Sequence, residues 1–281
     1  IFLYSHSSAA VKQPSHSSIQ EIHSVAEISH VFELSGENDL WVFDIDQVLL
    51  KSSDPLIFAD QEGFYNNEAL EELWGSLFQS KSPQERKTLI SKIRLNEKKI
   101  PVEQSLIDKI IALQKRNIKV IALSAFMPGK YGPIARTEVC KYEQLMKLGL
   151  NFESSFEQKD VVVKFKSDTE KPVIFYKGIL CSGDYEKGFI LTTFLKYVGF
   201  RPSRIYFVDD RFQNVESVVQ GVQVLQIPCQ GYFYRAATIN RSINELDLEV
   251  VKFQIELMIQ CNNYVSYFEA KNLWELQKIV K

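Results

Sequence analysis

The sequence predicts an α/β protein built on a parallel sheet. Three observations carry that prediction. Short apolar segments at residues 40–43, 118–123 and 205–208 alternate with stretches whose apolar residues recur at helical spacing, the rhythm of strands joined by helices. The segments are nearly free of polar residues, as buried strands are. Each then stops in residues that carry chemistry: Asp44 with Asp46, Ser124, and Asp209 with Asp210.

The chain has 281 residues, enough for one large domain or a core with an insertion. A formal net charge of -2 provides no basic field, so nucleic acid is not an expected partner. No apolar run approaches the ~20 residues of a membrane span. Cys140, Cys181, Cys229 and Cys261 are far apart and form no Cys-x-x-Cys pair, which argues against a structural zinc site or a disulfide-dense scaffold. Core thiols are expected, with one or two ordinary disulfides left open. All four histidines, His6, His16, His23 and His30, precede the apparent core. Its chemistry therefore does without imidazole, which excludes Ser-His-Asp and Cys-His sites and most catalytic zinc sites.

Residues 1–30, rich in Ser and His, read as a weakly ordered leader. Ile1-Phe2-Leu3-Tyr4 and Ala9-Ala10 have some features of a truncated export signal, but a plain N-terminal arm is the preferred reading; a cytoplasmic and a periplasmic or secreted location both stay open. A short helix is expected over 21–34. The core comprises 31–51 and 100–240. Between its two parts, residues 52–99 form a helical insertion, in which Leu70, Leu73, Leu77 and Phe78 repeat at helical spacing and Ser82-Pro83-Gln84-Glu85 opens a second helix with a capping box. A helix after Pro101 leads to the strand ending in Ser124, and another covers about 134–148. Residues 161–180 alternate and read as a β-hairpin with a Lys-, Asp- and Pro-containing turn. Helix 189–197 leads to the strand ending in Asp209-Asp210, followed by helix 214–220 and a strand at 222–227. The tail, 241–281, begins near the capping-box pattern Ser242-Ile243-Asn244-Glu245 and forms two amphipathic helices expected to pack on the core.

The paired aspartates demand an explanation. Each unpaired carboxylate withdrawn from water costs several kcal/mol. On a persisting strand Asp44 and Asp46 would share a face; on a fraying one they would fan around a ligand. Either way a cation is the expected compensator.

Asp44-Ile45-Asp46-Gln47-Val48-Leu49 after an apolar strand, a strand-terminal Ser124, Lys187 opening a helix, and Phe207-Val208-Asp209-Asp210-Arg211-Phe212-Gln213-Asn214-Val215 together resemble the four ordered motifs of the haloacid dehalogenase (HAD) superfamily of phosphohydrolases. The resemblance spans residues 40 to about 227. More loosely, the whole chain resembles an uncharacterised bacterial HAD-like family, a domain of unknown function. The resemblance implies a three-layer, Rossmann-like parallel sheet with a helical cap insertion and a helical C-terminal tail. It also implies a Mg²⁺-dependent phosphomonoester hydrolase working through an aspartyl-phosphate. Asp44 would be the nucleophile and Asp46 the acid that protonates the leaving oxygen and then activates water. Mg²⁺ would be held by Asp44, the Asp46 backbone carbonyl, and Asp209 or Asp210; Ser124 would bind a phosphoryl oxygen and Lys187 would supply charge.

Lys177 competes with Lys187 for the third motif, and Lys187 is preferred because it precedes a helix. Asn214 stands where the superfamily often has an acid, and Gln47 is assigned no role. Phe64, Tyr65, Trp74 and Phe78 are expected to form cap core or a substrate wall. The resemblance implies a phosphorylated partner, a small molecule, nucleotide or phosphoprotein, and the oligomeric state is open. Two alternatives remain: a HAD-like binding or regulatory protein without turnover, and a secreted bacterial phosphatase acting on host phosphoproteins.

Overall fold

The computed structural model describes residues 17–61, 67–163, 173–239 and 246–280. The expected export-signal remnant, His6 and His16, Phe64 and Tyr65, the hairpin turn within 164–172, and the Ser242–Glu245 pattern lie outside the described residues.

Eight strands form the main sheet: β1 (Ser18–Ile22), β2 (Asp39–Phe43), β5 (Lys119–Ser124), β6 (Asp160–Val163), β7 (Val173–Tyr176), β8 (Ile179–Cys181), β9 (Arg204–Asp209) and β10 (Cys229–Tyr234). Their order is β1-β10-β9-β2-β5-β8-β7-β6. The six strands from β1 to β8 in that order pair in parallel, while β7 and β6 extend the edge antiparallel. A separate antiparallel pair, β3 (Leu50–Ser52) and β4 (Lys99–Pro101), forms the stem of the insertion.

The two-residue period of the strands sorts their side chains into two cores. On one face Trp41, Phe43, Val120 and Ala122 meet Phe32 of α1 (Ser29–Leu34) and Ile107 and Ile110 of α5 (Gln104–Lys115). On the other, Leu40, Val42, Ile121 and Phe207 meet Ile190 of α7 (Lys187–Val198) and Val215 of α8 (Phe212–Gly221). Helices on both faces of a largely parallel sheet make a three-layer α/β architecture. Trp41 is fully buried, stacked on Phe32 at 4.1 Å and Tyr206 at 4.4 Å between ring centroids, and its indole N–H donates to Ser35 Oγ at 3.0 Å.

Four expectations are corrected. Residues 18–22 of the expected leader form β1, paired in parallel with β10, with Ile22 fully buried; backbone pairing needs no apolar alternation, so the polar sequence hid it. The helix expected over 21–34 is replaced by a 3₁₀ turn at Val25–Ile28, with Ser24 and Glu27 closing a capping box, and then α1. The strand expected at 222–227 is a 3₁₀ turn, Val222–Leu225, ended by Gln226 at φ 54°; the strand itself is β10. Gly231 weakens its apolar signal for a packing reason. A Cβ there would lie 2.4 Å from Val215 Cγ1, so glycine is what lets α8 close onto the sheet.

The last correction concerns the tail. Helices α10 (Leu248–Cys261) and α11 (Tyr267–Val280) share their core with the insertion rather than with the sheet. Val250, Val251 and Met258 join Leu56 of α2 (Pro55–Gln61), Leu70 of α3 (Glu68–Ser76) and Leu89 of α4 (Pro83–Asn96) in this cluster, with partly buried Trp74 and Phe78 packed on it. Buried Asp54 ties the two segments together. It accepts hydrogen bonds from Leu56 N at 2.9 Å, the Tyr264 hydroxyl at 2.9 Å, Tyr267 N at 2.8 Å and Gln254 Nε2 at 3.2 Å. The capping box predicted at Ser82 and Glu85 opens α4.

The β7–β8 turn is Lys177-Gly178, at φ 47° and 85°. Two left-handed residues suit a two-residue hairpin loop. All four cysteines are free thiols, with Cys181 and Cys229 buried.

Candidate functional site

Strands β2, β5 and β9 run parallel, so their carboxyl ends share one edge, where ligands bind in open α/β sheets. Asp44 still belongs to the ladder: its N–H donates to Val208 O at 2.9 Å. The chain then turns sharply. Leu50 N–H donates to Ile45 O at 3.0 Å, Gln47 N–H donates to Leu50 O at 2.8 Å, and Gln47 takes φ 64°. This turn separates the two aspartates, which fan apart toward different cations.

Lys187 is the cation for Asp44. It opens α7, is 2% exposed, and its Nζ lies 2.7 Å from Asp44 Oδ1 and 2.6 Å from Asp209 Oδ2. Two glycines position that helix. A Cβ on Gly188 would lie 1.9 Å from the Ser217 carbonyl oxygen, and one on Gly221 would lie 2.7 Å from the Gly188 carbonyl carbon. Close approach of α7 and α8 therefore sets the depth of Lys187. Fully buried Asp209 also accepts from Arg211 N at 2.9 Å and Asn214 Nδ2 at 3.0 Å. Asn214 thus orients a carboxylate at the position where an acid was the alternative.

Asp44, Asp209 and partly buried Asp210 bring carboxylate oxygens within 4.8 Å of one another. Three acids therefore face a single ammonium. Burial pushes the Asp44 carboxyl up to about 6, with Lys187 opposing and Asp209 reinforcing the shift. Burial, then the Asp44 and Asp209 charges, push Asp210 to about 8. Burial works against the charge on Lys187 too, but the two aspartates outweigh it and raise its pKa. The cluster holds more negative charge than it can compensate, and a hard cation with oxygen ligands suits that deficit.

Asp46 stands apart. Its two carboxylate oxygens accept from Lys141 Nζ at 2.8 and 2.7 Å, and Lys99 Nζ lies 4.0 Å away. Burial alone would raise this carboxyl, but Lys141 and then Lys99 outweigh it and hold it at about 2. Ser124, at the end of β5, lines the same cavity of about 370 Å³ as Asp44, Asp46, Lys187 and Asp210. Lys177 does not: its Nζ lies over the Tyr142 ring at 4.7 Å, with Glu153 Oε2 at 3.7 Å.

The expected residues Asp44, Ser124, Lys187, Asp209 and Asp210 thus converge, while the Asp46 side chain reaches the cavity but not the carboxylate cluster. Sequence reading missed Lys141 on α6 (Thr137–Lys147), Lys99 and Glu97 at the insertion stem, Arg94 at the end of α4, and Gln144. Isolated polar residues, whether on helices or at the insertion stem, carry no local signal, so none was available.

Fold and site together define a three-layer α/β protein with a carboxylate cluster at the carboxyl edge of its parallel strands. The chain belongs to the family described as Protein of unknown function (DUF2608), which it matches over residues 19–265. It is similar to Uncharacterized protein RP296 of Rickettsia prowazekii (strain Madrid E), 26% identical over 145 residues that cover 52% of each chain. It is also similar to an uncharacterized protein of Rickettsia felis (strain ATCC VR-1525 / URRWXCal2), 25% identical over 109 residues, 38% of this chain and 37% of that one. The chain spans about half, or less, of the length of these curated relatives. No solved structure matches it. Among the described residues no helix is long and apolar enough to cross a membrane.

Proposed function

We propose that this chain is a HAD-type phosphatase, a Mg²⁺-dependent phosphomonoester hydrolase that works through an aspartyl-phosphate, with the insertion as its cap. The observation that carries the reading is the group of three carboxylates, two buried and one partly buried, around one ammonium, with Ser124 lining the same cavity. The donor set fits Mg²⁺, which Asp44, Asp209 and Asp210 would hold. When bound, the ion would neutralise the carboxylates and the anionic ester together.

An Asp44 carboxylate oxygen attacks phosphorus and the bond to the leaving oxygen breaks. Lys187 holds Asp44 in its ionised form and places positive charge beside the transferring group. The Ser124 hydroxyl donates to a phosphoryl oxygen. Asp46 gives a proton to the leaving oxygen, then takes one from the water that attacks the aspartyl-phosphate, releasing phosphate and restoring Asp44. Held at about 2 by Lys141 and Lys99, Asp46 rests ionised but is a weak base while paired, so taking a proton from water requires that pair to loosen. Its acid step requires the Lys141 pair to open.

That pair also favours a second reading, a binding protein that retains the acidic cleft without turnover. Hydrolysis of p-nitrophenyl phosphate with and without Mg²⁺ separates the two. The phosphatase releases nitrophenol only with Mg²⁺ and loses this activity in Asp44→Asn; absence of Mg²⁺-dependent release, or its survival in Asp44→Asn, overturns the proposal.

A further inference from the structure

The cavity has a second wall, made by the end of α4, the insertion stem and α6, of which the proposed chemistry uses only Asp46 and its lysine partners. It carries three cations, Arg94, Lys99 and Lys141, against two carboxylates, Asp46 and Glu97. Lys141 is taken by Asp46, and Lys99 lies 2.9 Å from Glu97 Oε1. Among the described residues no carboxylate lies within ion-pairing distance of Arg94, whose guanidinium rests over the Tyr131 ring at 4.6 Å from its centroid. A guanidinium resting over an aromatic ring uses no N–H donor on a carboxylate and keeps its fork of donors available for an oxyanion.

Two buried acceptors accompany these cations. Glu97 Oε2, on a side chain 3% exposed, and Gln144 Oε1 have no hydrogen-bond partner among the described residues. A buried acceptor without a donor costs about 1–3 kcal/mol, so both call for a donor such as a hydroxyl. The cavity of about 370 Å³ is at the small end of ligand sites and suits a metabolite better than a nucleotide or a phosphoprotein loop.

We infer that this wall is a subsite for a second anionic group and an adjacent hydroxyl, so that the ligand is a small phosphorylated hydroxy acid or its bisphosphate counterpart. The inference rests on the phosphatase reading for the orientation of the ligand, with the ester phosphate at Asp44 and Ser124. Arg94 takes the second anion, and one of the two acceptors, Glu97 or Gln144, accepts from the hydroxyl. An anion drawn to this wall also competes with Asp46 for Lys141.

The test is direct binding by titration calorimetry of the full chain, using 3-phosphoglycerate, glycerol 3-phosphate and glycerol 1,3-bisphosphate. The first two differ in having a carboxylate or a neutral hydroxymethyl group. Either ligand with a second anionic group should bind at least about tenfold more tightly than glycerol 3-phosphate, and the tighter of the two identifies the group as carboxylate or phosphate. Arg94→Gln should erase most of that preference and Arg94→Lys should retain part of it. Equal affinity for all three ligands, or a preference unchanged in Arg94→Gln, overturns the subsite. The p-nitrophenyl phosphate assay bears only on turnover: preference without hydrolysis removes the phosphatase reading and keeps the subsite, and hydrolysis without preference does the reverse.

Discussion

Replacing Asp210 with asparagine tests the electrostatic deficit of the cluster most directly, because it removes one charge and almost no volume. The Asp210 carboxyl is pushed from the 3.8 of an ordinary aspartate to about 8, by burial and then by the Asp44 and Asp209 charges. Its folded form therefore binds a proton that the unfolded chain releases between these two values. Through that window the term lowers wild-type stability as pH rises. At pH 7 the group sits about three units above its unfolded pKa; at about 1.4 kcal/mol per unit this sets a ceiling near 4 kcal/mol. Partial solvent access and local relaxation reduce the expected effect to about 1–3 kcal/mol. The substituted amide cannot ionise, so the Asp210→Asn variant should match the wild type near pH 4 and exceed it by that amount at pH 8.

The assay is urea unfolding at several pH values without divalent ions, repeated with Mg²⁺. Added Mg²⁺ should stabilise the wild type and have much less effect on Asp210→Asn. Below pH 8, wild-type affinity should tighten by up to roughly tenfold per pH unit as the proton is displaced. An Asp210→Asn protein no more stable than wild type at pH 8, or a difference that does not grow with pH, would refute the uncompensated-charge argument.

Three further outcomes follow from the same contacts. Lys187→Met removes the partner of two buried carboxylates and should cost about 3–5 kcal/mol in urea unfolding at pH 7, with a loss under 1 kcal/mol contradicting its role as their counter-ion. Gly188→Ala places a methyl against the Ser217 carbonyl; overpacking of this kind costs about 1–3 kcal/mol or more and should shift α7, read as a lower melting temperature together with weaker Mg²⁺ stabilisation. Lys141→Met should move the Asp46 carboxyl titration upward from about 2, followed by carbon NMR of labelled aspartate, and an unmoved titration would show that Lys141 is not what holds it down.

Much of the sheet and half of the site were legible in the sequence because both are written locally. An apolar run long enough for a strand announces β2, β5 and β9, and the residue that breaks each run is the one delivered to the carboxyl edge, so Asp44, Ser124 and Asp209 could be read in place. Lys187 was legible from its position at the start of a helix. What tertiary structure alone decided depends on partners far apart in the chain. The pairing of Asp46 with Lys141, 95 residues on, ties an expected acid into an ion pair, and no spacing rule connects the two. Strand β1 exists because β10 offers it a backbone edge, and backbone hydrogen bonds leave no trace in side-chain pattern. The tail helices join the insertion rather than the sheet because buried Asp54 takes donors from Gln254, Tyr264 and Tyr267. Amphipathic periodicity says which face of a helix is buried, but the surface it meets is set by which buried polar groups find their partners.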